Sequence, residues 1–187
     1  PTMDFEMAVS NLINTFYSRD LSRKMRSAQK VKWQKGITTS GHPPFGYIKD
    51  PADKKKWILD PEASKIVRRL FDLALSGMNT TQIARTMNDE GYPMPCVYNE
   101  THKNWKLAEF VTKKSEWLWT SNLARYYLIK RDYTGAMIMG RTEVVTIGSN
   151  KKRKLPESKW YIAEGVNEAI VTLEEYEEAQ CIIRSRA

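Results

Sequence analysis

Few residues in this 187-residue chain have the types and spacing for bond-making chemistry. The two histidines are His42, inside Gly41-His42-Pro43-Pro44, and His102, in a polar stretch. Neither has a plausible Asp nearby to orient it as the base for a serine, so no Ser-His-Asp triad is expected. Cys96 and Cys181 read as ordinary thiols, and two Cys with two His supply neither a disulfide framework nor a four-ligand zinc site. No glycine-rich loop of the Walker or dinucleotide type is present. Glu174, Glu175, Glu177 and Glu178 read as one solvated helix face rather than a metal cluster. No catalytic set and no cofactor are expected from these residues.

The cations are better placed for work, and that work is binding. The formal net charge is +8. Residues 1–20 carry −2, residues 164–187 carry −4, and the stretch between them carries +14. Two runs dominate: Arg23, Lys24, Arg26, Lys30, Lys32 and Lys35 with no acid among them, and Lys151-Lys152-Arg153-Lys154. Basic side chains gathered against a polyanion gain free energy through counterion release. One such run can equally be a solvated surface. Two runs with aromatic residues interleaved between them point toward nucleic acid.

These residues need elements to hold them. From Asp4 to Lys35 there is neither Gly nor Pro, which allows one helix of about 30 residues, roughly 45 Å long. Phe5, Ala8, Val9, Leu12, Ile13 and Phe16 form its apolar stripe, with Gly36 as the expected cap. Residues 37–60 read as a loop with some extended chain. Its Pro-Pro-Phe-Gly-Tyr run can set a rigid aromatic turn against a core or lay the chain along a groove. Asp60-Pro61-Glu62 reads as a helix start, followed by a buried stripe from Ala63 to Ala74 that ends near Gly77. Asn79 and Gln82 make a capping box for a helix reaching Gly91. Residues 91–118 read as irregular and include the pair Lys113-Lys114. A helix from Thr120 to about Arg131 has Leu123, Ala124, Tyr127 and Leu128 inside, leaving Ser121, Asn122, Arg125, Tyr126 and Ile129 outside. Residues 133–147 and 159–163 are β-rich, Gly148 to Glu157 read as a basic hairpin tip, and Thr172 with Glu175 caps a last helix from Leu173.

The expected fold is therefore α+β and mainly helical. A long N-terminal helix precedes a helix-turn-helix-like helical DNA-binding domain, then a small β-hairpin and a C-terminal helix. The helices at 79–91 and 120–131 suggest a helix-turn-helix variant with a long insertion. In such a motif the second helix puts its N-terminal residues on base edges in the major groove. Thr120, Ser121, Asn122 and Arg125 are residue types that read bases or phosphates there. A plain helical bundle with a polar outer face fits the same spacing. Nothing approaches the ~18 apolar residues of a membrane span, and no basic-then-apolar leader opens the chain, so a soluble cytoplasmic protein is expected.

The order of several short motifs resembles the middle of the large serine recombinases, the transposon resolvase and phage integrase group. The matching residues are Tyr17-Ser18-Arg19-Asp20-Leu21-Ser22-Arg23-Lys24, Gly41-His42-Pro43-Pro44-Phe45-Gly46-Tyr47 and Trp57-Ile58-Leu59-Asp60-Pro61-Glu62-Ala63. Ile66 to Phe71, Gln82-Ile83-Ala84-Arg85, Gly91 to Pro95, Trp119, Tyr133-Thr134-Gly135, Glu168 to Val171 and Glu174-Glu175-Tyr176 follow in order. The resemblance implies a piece lying after a catalytic domain whose serine attacks DNA. Residues 1–36 would be the helix linking to that domain, 37–131 the recombinase domain, and 132–187 the opening of a second DNA-binding domain. Zinc is expected only beyond the C-terminal end. Together with the residue reading it implies double-stranded DNA as partner, with self-association through the N-terminal helix in the parent protein. The location expected is a bacterial nucleoid, with no membrane. Arg23, Lys24, Arg26, Lys30, Lys32 and Lys35 would meet phosphates, and the segment from Gly36 to Tyr47, with His42, would lie in the minor groove. Helix 120–131 would enter the major groove, anchored by Lys113 and Lys114, with Lys151, Lys152 and Arg153 adding to the footprint. Two rival readings are a helical oligomerisation module with a non-specific basic surface, and RNA binding by Tyr126-Tyr127 and Trp117-Leu118-Trp119.

Overall fold

A computed structural model describes residues 2–39, 42–53, 55–103, 117–145 and 151–185. They fall into two compact units, 1–39 with 137–163 and 40–136 with 164–187.

The first unit is built on α1, Thr2–Gln34. Its end is closed by Gly36 N–H donating to the Trp33 carbonyl and Ile37 N–H to that of Lys32. Against it stand two short antiparallel ladders, β3 (Met137–Met139) with β6 (Tyr161–Ala163), and β4 (Thr142–Val144) with β5 (Lys152–Lys154). The Trp33 ring packs on Tyr161 at 5.4 Å, and the Trp33 indole N–H donates to the Thr39 hydroxyl. Gly140, with φ +74°, lets the backbone pass beneath these rings, since a Cβ there would sit 3.1 Å from Tyr161 and 3.3 Å from Trp33. The sequence suggested a basic tip from Gly148 to Glu157. Instead Lys152, Arg153 and Lys154 form a strand paired with Thr142–Val144, with all three side chains exposed.

The second unit opens with the hairpin β1 (Tyr47–Lys49) and β2 (Trp57–Leu59), followed by α2 (Ala63–Leu75), α3 (Thr80–Asp89), α4 (Pro95–Lys103), α5 (Ser121–Leu128) and α6 (Leu173–Ser185). Helix α2 is its centre, burying Ala63, Ile66, Val67, Leu70, Phe71, Leu73 and Ala74. The Asp60 carboxylate accepts from the N–H groups of Glu62 and Ala63 ahead of it, as expected of a capping residue. Both bonds of the Asn79–Gln82 capping box form, and so do both of the Thr172–Glu175 box. At Gly135, φ is +79° and a Cβ would lie 2.5 Å from the Asn167 carbonyl, so only glycine lets the chain pass the 164–171 segment here.

Three local expectations need correction. Residues 95–103 form α4 instead of continuing irregular, because Pro95 suits a first helical turn while Tyr98 supplies a buried anchor in an otherwise polar segment. His102 thereby sits on a helix, stacked on Tyr98 at 4.2 Å and facing Glu62. Helix α5 stops at Leu128, and Arg131–Thr134 is a 3-10 turn that brings Tyr133 into the core. Glu175 does not belong to a solvated face. It accepts two hydrogen bonds from the Arg68 guanidinium, tying α6 to α2.

Candidate nucleic-acid interface

Helix α5 owes its position to a few specific bonds. The Trp119 backbone N–H donates to the Asn88 side-chain oxygen at 2.7 Å, and the Asn88 amide donates back to the Trp119 carbonyl at 3.0 Å. The Trp119 indole is buried and donates to the Tyr92 carbonyl. The residue before the helix is thereby fastened to the end of α3 and the turn after it. Thr80 and Ser121 share a hydroxyl–hydroxyl bond of 2.8 Å, which joins the starts of α3 and α5. Ala124, Tyr127 and Leu128 are buried, while Asn122, Arg125, Tyr126 and Ile129 face solvent, the division expected from spacing.

Within the expected set on α5 the residues differ in availability. Thr120 is exposed, but its hydroxyl already caps the helix by accepting from Leu123 N–H, which leaves its own proton to give. Ser121 is half-buried and spent on Thr80. Asn122 and Arg125 are exposed, and their side chains carry no hydrogen bond or ion pair among the described residues. An amide and a guanidinium one turn apart on an outward face present donors and an acceptor that can match base edges. Arg125 is the only basic residue of α5 itself, while Lys130 just beyond lies over the Tyr126 ring, 4.2 Å from its centre.

In the first unit, Arg23, Arg26, Lys30 and Lys32 are exposed on the second half of α1, and Lys35 is exposed just after its end. Lys24 is exposed too, but pairs with Asp20 at 2.8 Å, an interaction that raises its pKa. Arg19, Arg23, Arg26 and Lys30 line one shallow concavity along the helix. Lys151, Lys152 and Arg153 are exposed, with Arg153 engaged by Glu143 across the β4–β5 ladder. His42 is exposed, whereas Phe45, Gly46 and Tyr47 are buried. The segment ending at Tyr47 therefore cannot lie along a groove through its whole length. Tyr47 is 1% exposed, with its hydroxyl donating to the Glu168 carbonyl, and the aromatic turn is a core piece. Lys113 and Lys114 lie outside the described residues.

Most interleaved aromatics are core as well. Phe45 packs on Tyr98 and Tyr127, Tyr47 stacks on Tyr133, and Trp119 meets Tyr127 edge-on. Burial pushes the Tyr133 hydroxyl far above its ordinary pKa, as it does those of Tyr47 and Tyr127. Of the segments considered for RNA stacking, Tyr127 and Trp119 are thus occupied, leaving Tyr126 and Leu118 exposed.

A different feature of α1 stands out. Phe5 and Phe16 are 71% and 60% exposed, and Leu12, Ile13 and Tyr17 are exposed between and beside them. Among the described residues no group of three or more His, Cys, Asp and Glu is placed to hold a metal ion, and no helix is long and apolar enough to cross a membrane.

Residues 61–186, more than half of the chain, match the family model described as Recombinase. No curated protein matches. Among solved structures, an LSR–DNA complex superposes with a TM-score of 0.53 at 16% identity, over 87% of this chain and 38% of its own. A structure concerned with the sequence requirements of the Listeria innocua prophage attP site superposes with a TM-score of 0.52 at 17% identity, over 88% of this chain and 52% of its own. At such identities the likeness is one of fold, and the chain spans about two-fifths to one-half of the chains it resembles.

Proposed function

The chain belongs to the Recombinase family, and from that membership we propose that it is the DNA-binding portion of a site-specific serine recombinase, recognising attachment-site or transposon-end duplex for strand exchange. The observation that carries this reading is the outward face of α5. Asn122 and Arg125 are held at fixed positions by the bonds of Asn88 and Trp119, yet are themselves uncommitted among the described residues. The two solved structures of similar fold concern DNA or an attachment site, which supports the same partner.

In this reading the three roles separate. Helix α5 enters the major groove, and Asn122 and Arg125 read base edges. Arg23, Arg26, Lys30, Lys32 and Lys35 meet phosphates, fixing register and supplying most of the affinity, and Lys151, Lys152 and Arg153 extend that contact. His42 and the residues before Phe45 lie close to the backbone, with Lys113 and Lys114 as further anchors. The division into linking helix (1–36), recombinase domain (37–131) and the start of a second DNA-binding domain (132–187) describes function along the parent chain. Helix α1 links to the catalytic domain, and its exposed stripe at Phe5, Leu12, Ile13 and Phe16 favours self-association in that parent.

The test is Arg125→Ala measured on a selected duplex and on a scrambled one. Loss of about 1–3 kcal/mol of discrimination, with little loss on the scrambled site, is expected. Equal weakening on both would reduce α5 to an anchor.

A further inference from the structure

Between the C-terminal half of α1 and the two ladders of the first unit runs a trough of about 840 Å³. Its walls carry the half-buried rings of Trp33, Trp160 and Tyr161. Arg26 and Lys30 come from α1, and Lys152 and Lys159 from the opposite side, all four exposed. The Arg141 guanidinium lies 5.5 Å from the centre of the Trp160 ring. Glu143 is the one acid in the lining, and it is taken up by Arg153. The Trp160 indole N–H donates to the Leu155 carbonyl, which holds the ring in place.

A duplex backbone asks only for cations along its phosphates. Paired bases are stacked on their neighbours and have no use for an aromatic wall. A strand with unpaired bases uses both surfaces, cations for phosphates and rings for base faces. We propose that this trough binds unpaired nucleotides of a DNA strand, with Lys30, Lys152 and Lys159 on the phosphates and the Trp160–Tyr161 wall against the bases. The inference rests on the reading that the basic face of α1 meets DNA. It adds a second binding mode, for single-stranded DNA, distinct from duplex recognition by α5.

The test uses the 187-residue chain and two labelled ten-nucleotide probes, oligodeoxythymidine and an abasic phosphodiester strand of equal length. Anisotropy should show the thymidine strand bound at least roughly tenfold tighter than the abasic one. Trp160→Ala should lower that preference by at least roughly fivefold, the low end of one base–aromatic stack, and Trp160→Phe should keep most of it. Lys159→Ala should weaken both probes alike. Equal binding of the two probes by the unaltered chain would overturn the proposal and leave a trough that only tracks charge. Retained preference in a folded Trp160→Ala would overturn the assignment of the wall. On duplex, Trp160→Ala should leave the ratio of selected to scrambled affinity unchanged while Arg125→Ala removes it, so failure of the trough and failure of duplex recognition give different results.

Discussion

At the scale of single residues, charge position decides role. Lys30 is exposed and carries no ion pair among the described residues, whereas Lys24 shares its charge with Asp20. Lys30→Ala should therefore weaken selected and random duplexes alike and lower the slope of log K against log salt by about one unit, whereas Lys24→Ala should move it less. Salt titrations of the two variants measure the difference. An unchanged slope for Lys30→Ala would remove that side chain from the footprint. Glu175 shows the opposite use of charge. The Arg68 guanidinium, helped by the Thr172 N–H and hydroxyl, holds its carboxyl at about 2, against an ordinary 4.5. A depressed folded-state pKa gives stability that is complete above the unfolded value and fades as pH falls through the folded one. The melting temperature should therefore drop between about pH 4.5 and 2 more steeply for the unaltered chain than for Glu175→Gln. Near neutral pH that variant should be less stable by about 1 kcal/mol, since the pair is partly solvated. Parallel melting curves across that window would deny the clamp its role.

At the scale of elements, caps and lead-ins matter more than propensity. Asn79 accepts from two N–H groups at the start of α3, and Asn79→Ala should cost about 1 kcal/mol in denaturant unfolding. Asn88→Ala breaks two bonds that fasten the Trp119 backbone, and should cost about 1–3 kcal/mol while also blurring base discrimination, because α5 loses its fixed start. Stability lost with discrimination intact would mean that α5 is placed by its buried face alone. The same elements show what a sequence displays of a fold. Helices α1, α2, α3, α5 and α6 are visible because each carries a periodic stripe or a side-chain cap whose signal is local. The inner face of α5 is legible for that reason, and with it the outward placement of Asn122 and Arg125. Helix α4 escapes because its anchor, Tyr98, stands nearly alone among polar residues and is buried by the distant Phe45 and Asp60. Strand β5 escapes because four successive cations hide the period of two, and only its pairing with Thr142–Val144 makes it a strand. Nor can local pattern tell an aromatic turn in a groove from one in a core. Tyr47 is settled by Tyr133 and Glu168, both far along the chain.

At the scale of the whole molecule, the proposed duplex binding would place different demands on the basic surface and on the outward face of α5. In the proposed reading, cations on α1 and β5 would give affinity to any duplex, and α5 would add the difference between one site and another. The outward face of α5 and the long basic helix therefore belong to one account only if affinity is both steeply salt-dependent and strongly site-dependent. The most direct measurement is an anisotropy titration of this chain against a library-selected duplex and a random duplex at two salt concentrations. Sequence-specific duplex binding should show a steep salt dependence and a selected site at least roughly 10³-fold tighter than the random one. Weak and equal binding of the two duplexes, at a Kd of about 10⁻⁴ to 10⁻⁶ M at physiological salt, would contradict it.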